Sequence, residues 1–144
     1  RIVSNTLQLA SYQHLCYSSI GYAPIHLNGT PLIVTGIANP MPLLTHLQQQ
    51  YPDTELLAYP DHHIFTPQDV NRIMQKAEQY VCVVTTEKDY MRLLQTPLVE
   101  QLGDKLHVIS IQTNLGIDKE AFDRQILLYV SENNRTKPNI TTLQ

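Results

Sequence analysis

From residue 31 onward, hydrophobic and polar positions follow a regular alternation of two periods. "PLIVTGIA" (31–38), "TELLAYP" (54–60), "VCVVTT" (81–86) and "KLHVISIQ" (105–112) are continuous apolar runs of strand length. Between them lie "NPMPLLTHLQQQY" (39–51), "TPQDVNRIMQKAEQY" (66–80) and "EKDYMRLLQ" (87–95), and "DKEAFDRQILLYVSEN" (118–133) closes the series. These four carry the i, i+3, i+4 spacing of helices with one apolar face. In the first helix Leu43, Leu44 and Leu47 share a face, Asn39 is the expected N-cap, and Pro40 suits the first turn. In the second, Thr66 caps, Pro67 takes the first helical position and Asp69 at N3 completes a capping box. The third places Glu87 and Asp89 in its first turn, behind Thr86 as cap.

Strand and helix alternate four times with short links. Such spacing implies right-handed crossovers and a sheet that is mostly parallel and covered on both faces. The expected fold class is α/β, a three-layer α/β/α sandwich over residues 30–132. Residues 1–29 differ: "LQLASYQHLCYSSIGYAPIHL" alternates over short range and is rich in Tyr and Ser. It reads as a short two-stranded β extension turning near Ser18–Gly21. Two strands alone are marginal in water, so the extension needs a partner. The polar tail 133–144, "NRTKPNITTLQ" at its end, is expected to fray.

Composition narrows the class. The chain has 144 residues, 42% of them hydrophobic, enough for one domain with a real core. A formal net charge of −3 and scattered lysines and arginines give no basic stripe, so nucleic acid is not an expected partner. The cysteines, Cys16 and Cys82, are too few for a disulfide scaffold and suit a reducing compartment. No apolar stretch reaches the roughly 20 residues of a membrane span. The chain opens "RIVSN" without Met and in mid-pattern, the expectation for a piece of a longer polypeptide.

Candidate chemistry gathers where the strands end, which is where parallel sheets hold ligands. "TGIANP" follows the first strand, "YPDHH" the second, "TTEKD" the third. If those strands are neighbours, the three loops make one rim. Asp61, His62 and His63 unite an acid with two imidazoles, the ingredients of general acid–base work. They are also ordinary loop residues, and Asp61 can be spent on nearby backbone N–H groups. Thr85 and Thr86 offer hydroxyls at a helix start, with Lys88 and Asp89 adding charge, and an anion is the ligand such an end attracts. A plain N-cap accounts for the same residues, and Asn39 has the same double reading. The Asp-His-His run also admits a di-metal phosphoesterase, but His14, His26, His46 and His107 fall outside the strand ends and no second acidic cluster supplies ligands; no metal site is expected. The glycines at 21, 29, 36, 103 and 116 give neither a P-loop nor G-x-G-x-x-G, and G-x-S-x-G is absent.

Taken together, "TGIANP" (35–40), "YPDHHIFT" (59–66) and "TTEKDYMRL" (85–93) resemble the C-terminal domain of the tetraacyldisaccharide 4'-kinases, the lipid A kinases of Gram-negative bacteria. Ala38, where members often carry Gly, and Leu44, where an aromatic is usual, depart from the pattern and bear on loop packing. The resemblance implies two α/β/α domains joined by a small β linker, the latter matching residues 1–29. It implies transfer of the ATP γ-phosphate to the 4'-hydroxyl of a tetraacyldisaccharide 1-phosphate, the lipid A precursor, at the cytoplasmic face of the inner membrane. Mg-ATP would be bound mainly by an N-terminal P-loop domain, the partner of this chain within one polypeptide; alone, the chain is expected to be inactive. By the family pattern, His62, or else His63, supports the catalytic aspartate of that domain. Asp61 stands beside them, and Thr85, Thr86, Lys88, Asp89 and Asn39 form the rim for substrate or anion. A metal-dependent phosphoesterase and a non-catalytic α/β binding module stay open as rival readings.

Overall fold

The structure, a computed structural model, describes residues 7–10 and 12–135. Six strands and five α-helices follow one another along them. In chain order they are β1 (Ser19–Tyr22), β2 (Pro31–Thr35), α1 (Met41–Gln48), β3 (Glu55–Ala58), α2 (Pro67–Ala77) and β4 (Cys82–Thr86). They continue with α3 (Glu87–Leu93), α4 (Leu98–Leu102), β5 (Leu106–Ile109), β6 (Ile111–Asn114) and α5 (Lys119–Arg135). Four strands form a parallel sheet in the order β3-β2-β4-β5. The two central strands are buried along their whole length, and the edge strands only in part. That is what a continuous apolar run means when both faces are covered.

Each face has its own core. Leu43 and Leu47 of α1 meet Ile33, Cys82, Val84 and Ile109, with Leu27 and the flanking Tyr22 and Ile25. On the other face Val70, Ile73 and Ala77 of α2 pack with Leu93, Leu98 and Leu102 against Leu32, Val34, Leu57 and Val83. Alternate residues of one strand thus feed opposite cores, the period-2 geometry of a strand. The α/β/α sandwich and its mostly parallel sheet stand as the sequence predicts.

Two compact units divide the described chain. One is Gly21–Gln112, which holds the four-stranded sheet and α1–α4; the described residues before Gly21 and after Gln112 make the other, with α5. The first unit starts ahead of residue 30 because Tyr22, Ile25 and Leu27 belong to the α1-side core. In α5 no side chain through Asn133 is buried, so the apolar stripe read from the sequence covers no core within its own unit.

Local expectations fail in three places. The residues predicted to turn, Ser18–Gly21, include most of strand β1, whose partner in an antiparallel two-stranded sheet is β6 and not an earlier segment. "KLHVISIQ" is not one strand: at Ser110 the chain leaves the parallel sheet for the two-stranded one, and the Ser110 carbonyl accepts the Ala23 N–H at 3.0 Å. Asn39 does not cap α1. The cap position is Pro40, without a side-chain hydrogen bond, and Asn39 is exposed. A five-residue helix, α4, was not anticipated. Residues 136–144 of the tail, and residues 2–6 of the extension, lie outside the described residues.

Candidate active site at the strand carboxyl ends

The strand order places β3, β2 and β4 side by side, so the loops after them are neighbours. Chain direction across the sheet reverses between β2 and β4, which makes their carboxyl ends the switch point where ligands of open α/β sheets gather. Here the crevice is closed by a side chain of the protein. Asp89 is fully buried, and its Oδ2 accepts the Thr35 hydroxyl at 2.5 Å, the Gly36 N–H at 3.0 Å and the Thr86 hydroxyl at 2.9 Å. The guanidinium of Arg92 donates to Oδ1 at 3.1 Å. A buried carboxylate survives only with such partners, because unpaired charge in the interior costs several kcal/mol. Asp89 therefore clamps the end of β2 to the end of β4.

Gly36 makes the clamp possible. A Cβ at this position would stand 2.9 Å from the Pro60 carbonyl oxygen and 3.4 Å from Asp89 Oδ1. Only the absent side chain lets the loop after β2 sit against the loop after β3.

Arg92 carries the network outward. One turn along α3 from Asp89, its Nη1 also reaches the Gly36 carbonyl at 3.5 Å, and its Nη2 lies 3.2 Å from His62 Nδ1. His62 has φ 60°, in the left-handed region where only a few residue types other than Gly are found. That backbone turns the imidazole into solvent, with 74% of the side chain exposed, while Nε2 lies 3.5 Å from Asp61 Oδ2. Asp61 in turn takes Lys88 Nζ and the His62 N–H on Oδ1, at 2.9 and 3.0 Å. The Lys88 ammonium bonded to it holds the Asp61 carboxyl below its ordinary value, against the opposing effect of burial.

His63 faces elsewhere. Its Nε2 lies 2.9 Å from Asp69 Oδ2, and its ring stacks on Tyr59 at 4.8 Å between centroids. Asp69 is the N3 residue of the α2 capping box, where Oδ2 also accepts the Thr66 N–H and hydroxyl. Burial pushes the Asp69 carboxyl up, but the Thr66 N–H, the His63 ring and the Thr66 hydroxyl outweigh it and bring it down to about 2. Burial raises the Tyr59 phenol, with the Asp69 charge adding to it and Arg72 opposing.

The structure thus joins Asp61, His62, Lys88 and, through Arg92, Asp89. Thr86 belongs to the frame: it is 1% exposed, and its hydroxyl caps the Asp89 N–H as well as bonding the carboxylate. Thr85 is fully buried with no hydrogen-bond partner for its hydroxyl among the described residues. Neither hydroxyl faces the rim, contrary to expectation, and the anion held at the start of α3 is the chain's own Asp89. Asp89 is accordingly an internal anchor and not a rim charge. Asn39 is exposed and takes part in none of these hydrogen bonds. Asp61, His62 and His63 do not converge on one point, and among the described residues no three His, Cys, Asp or Glu side chains are placed to hold a metal ion. Sequence reasoning missed Arg92 as a site residue and Thr35 altogether; the i, i+3 spacing of Asp89 and Arg92 on one helix was the available signal.

Comparison with known proteins fits this geometry. A family model described as tetraacyldisaccharide-1-P 4'-kinase matches residues 6–131. The chain is 32% identical over 156 aligned residues to the tetraacyldisaccharide 4'-kinase of Phocaeicola vulgatus, covering 94% of this chain and 43% of that protein. To the enzyme of the same name from Bacteroides thetaiotaomicron it is 30% identical, covering 93% and 43%, and to that of Flavobacterium johnsoniae 37% identical, covering 71% and 28%. The chain therefore spans at most about two fifths of the length of these relatives, at 43%. No solved structure matches it. With nearly its whole length matched by the family model and the three motif loops gathered on one rim, the chain belongs to the tetraacyldisaccharide-1-P 4'-kinase family.

Proposed function

We propose that this chain is the C-terminal wall of the active-site cleft of a lipid A 4'-kinase. The whole enzyme moves the γ-phosphate of ATP to the 4'-hydroxyl of a tetraacyldisaccharide 1-phosphate at the cytoplasmic face of the inner membrane. The observation that carries the reading is the Asp89–Arg92–His62 chain: a buried carboxylate holds a guanidinium, which holds an exposed imidazole at the sheet's switch point. A strained backbone at His62 adds support, since left-handed non-glycine residues cluster at working sites.

Phosphoryl transfer asks mainly for positioning and for stabilisation of charge. In this reading an aspartate of the nucleotide-binding domain takes the proton of the attacking hydroxyl as the new O–P bond forms and the bond to ADP breaks. His62 steadies that carboxylate from the opposite wall. Lys88 and Asp61 set the charge around it, with Thr86 and Asp89 as the frame beneath. His63, tied to Asp69 and Tyr59, supports the loop. The sequence carries no P-loop, and this reading assigns the binding of Mg-ATP to a nucleotide-binding domain of the same polypeptide.

The test is His62→Ala in the full-length protein. The reading expects kcat lower by roughly 10²–10⁴-fold, the usual worth of an acid–base group, with KM for ATP little changed. A rate near wild type overturns it. No helix among the described residues is long and apolar enough to cross a membrane.

A further inference from the structure

We infer that Arg92 is a positioning residue that fixes which nitrogen of His62 carries the proton, so that the exposed edge of the ring donates. Donor chemistry at Arg92 decides the tautomer. A guanidinium has five N–H groups and no acceptor, and it stays protonated at any working pH. Its Nη2 stands 3.2 Å from His62 Nδ1, so in that contact Nδ1 accepts. A neutral ring then has its proton on Nε2. The more familiar arrangement is the reverse: a carboxylate behind Nδ1 takes its proton and leaves Nε2 as a base. With Arg92 behind the ring, His62 offers an N–H toward the cleft, suited to holding a carboxylate rather than to removing a proton itself. The chain's own carboxylate, Asp61, brings its Oδ2 only to 3.5 Å from that nitrogen, too far for a good hydrogen bond, while Lys88 bonds its other oxygen, Oδ1. Arg92 is itself immobilised, with a side chain 22% exposed and bonded to the fully buried Asp89.

This inference deepens the proposed function and rests on it for its kinetic part, while its spectroscopic part stands alone. In the full-length protein labelled with ¹⁵N-histidine, long-range ¹H–¹⁵N spectra of neutral His62 are expected to show Nε2 protonated and Nδ1 bare. In Arg92→Met a population with the proton on Nδ1 is expected to emerge. A wild-type ring protonated on Nδ1, or a spectrum unmoved by Arg92→Met, overturns the inference. In kinetics, Arg92→Met is expected to lower kcat roughly ten- to a hundredfold, the loss seen when an orienting partner behind a metal-bound imidazole is removed. It is expected to lower kcat no further in a His62→Ala background, because Arg92 acts through that ring. Equal losses in both backgrounds overturn it.

Arg92→Met also strips Asp89 of its counter-charge, so Arg92→Lys is the companion variant. An ammonium keeps a charge beside Asp89 but has no planar fork to serve both Asp89 and His62. Arg92→Lys is expected to melt near wild type and still show the kinetic loss. Full activity in Arg92→Lys overturns the inference. A silent His62→Ala would instead sink the proposed function and leave the nitrogen spectrum to decide whether Arg92 sets the ring.

Discussion

Two aspartates at equivalent helix positions do most of the ordering among the side chains of the site. Asp69 and Asp89 are each the N3 residue behind a threonine cap, and each spends a carboxylate oxygen on a further partner, His63 in one case and Arg92 in the other. The "YPDHH" motif thus contains two imidazoles with different duties: one is tied down and stacked, the other presented to solvent. Asp69 yields a pH prediction with a definite sign. Its carboxyl falls from 3.8 to about 2 in the folded protein. Its stabilisation is therefore complete above its unfolded value and is lost as pH falls through about 2. Urea unfolding of the wild type and of Asp69→Asn is expected to show a stability gap that is constant above about pH 5 and narrows steadily toward pH 2. A gap unchanged across that range would place the role of Asp69 in shape and not in charge.

The helices show how far local chemistry reaches. Thr66-Pro67-Gln68-Asp69 starts α2 as a full capping box, and Thr86 starts α3. Both were legible because a cap is settled by residues within three positions of each other. Asn39 failed by the same measure: a good cap residue is useful only where the helix begins, and α1 starts at Met41, behind Pro40. At "KLHVISIQ" the apolar pattern is the same for a strand in either sheet, so nothing in it marks Ser110 as the point of change. For the α2 cap, Thr66→Ala removes the acceptor for the Asp69 N–H and one donor to its carboxylate. The expected cost is about 1 kcal/mol, within the range of 0.5–2 for such caps, read from the denaturant midpoint. No change in midpoint would show that His63 and the Thr66 backbone suffice to hold Asp69.

For the molecule as a whole, the order β3-β2-β4-β5 is what turns three separate motifs into one rim. If the chain is one wall of a cleft, it has the frame for the reaction but not the phosphate cradle. Incubated alone with Mg-ATP, it is expected to release no ADP above background, and sustained turnover would refute that division of labour. The sequence by itself determined the alternation of strand and helix, the parallel sheet with two covered faces, the caps of α2 and α3, and the three loops that carry the family's motifs. It did so because periodicity and capping act over a few residues, within the reach of a pattern. Only the tertiary structure decided that Asp89 is buried beneath Thr35 and Gly36, that Arg92 backs His62 while Asp69 takes His63, and that the strand after residue 18 pairs with β6. His63 and Asp69 are only 6 residues apart, but the other partners are distant along the chain, as with Thr35 and Asp89 at a separation of 54 residues. They meet only once the sheet has set its strand order, since that order fixes which loops become neighbours and which carboxylate each histidine and arginine can reach.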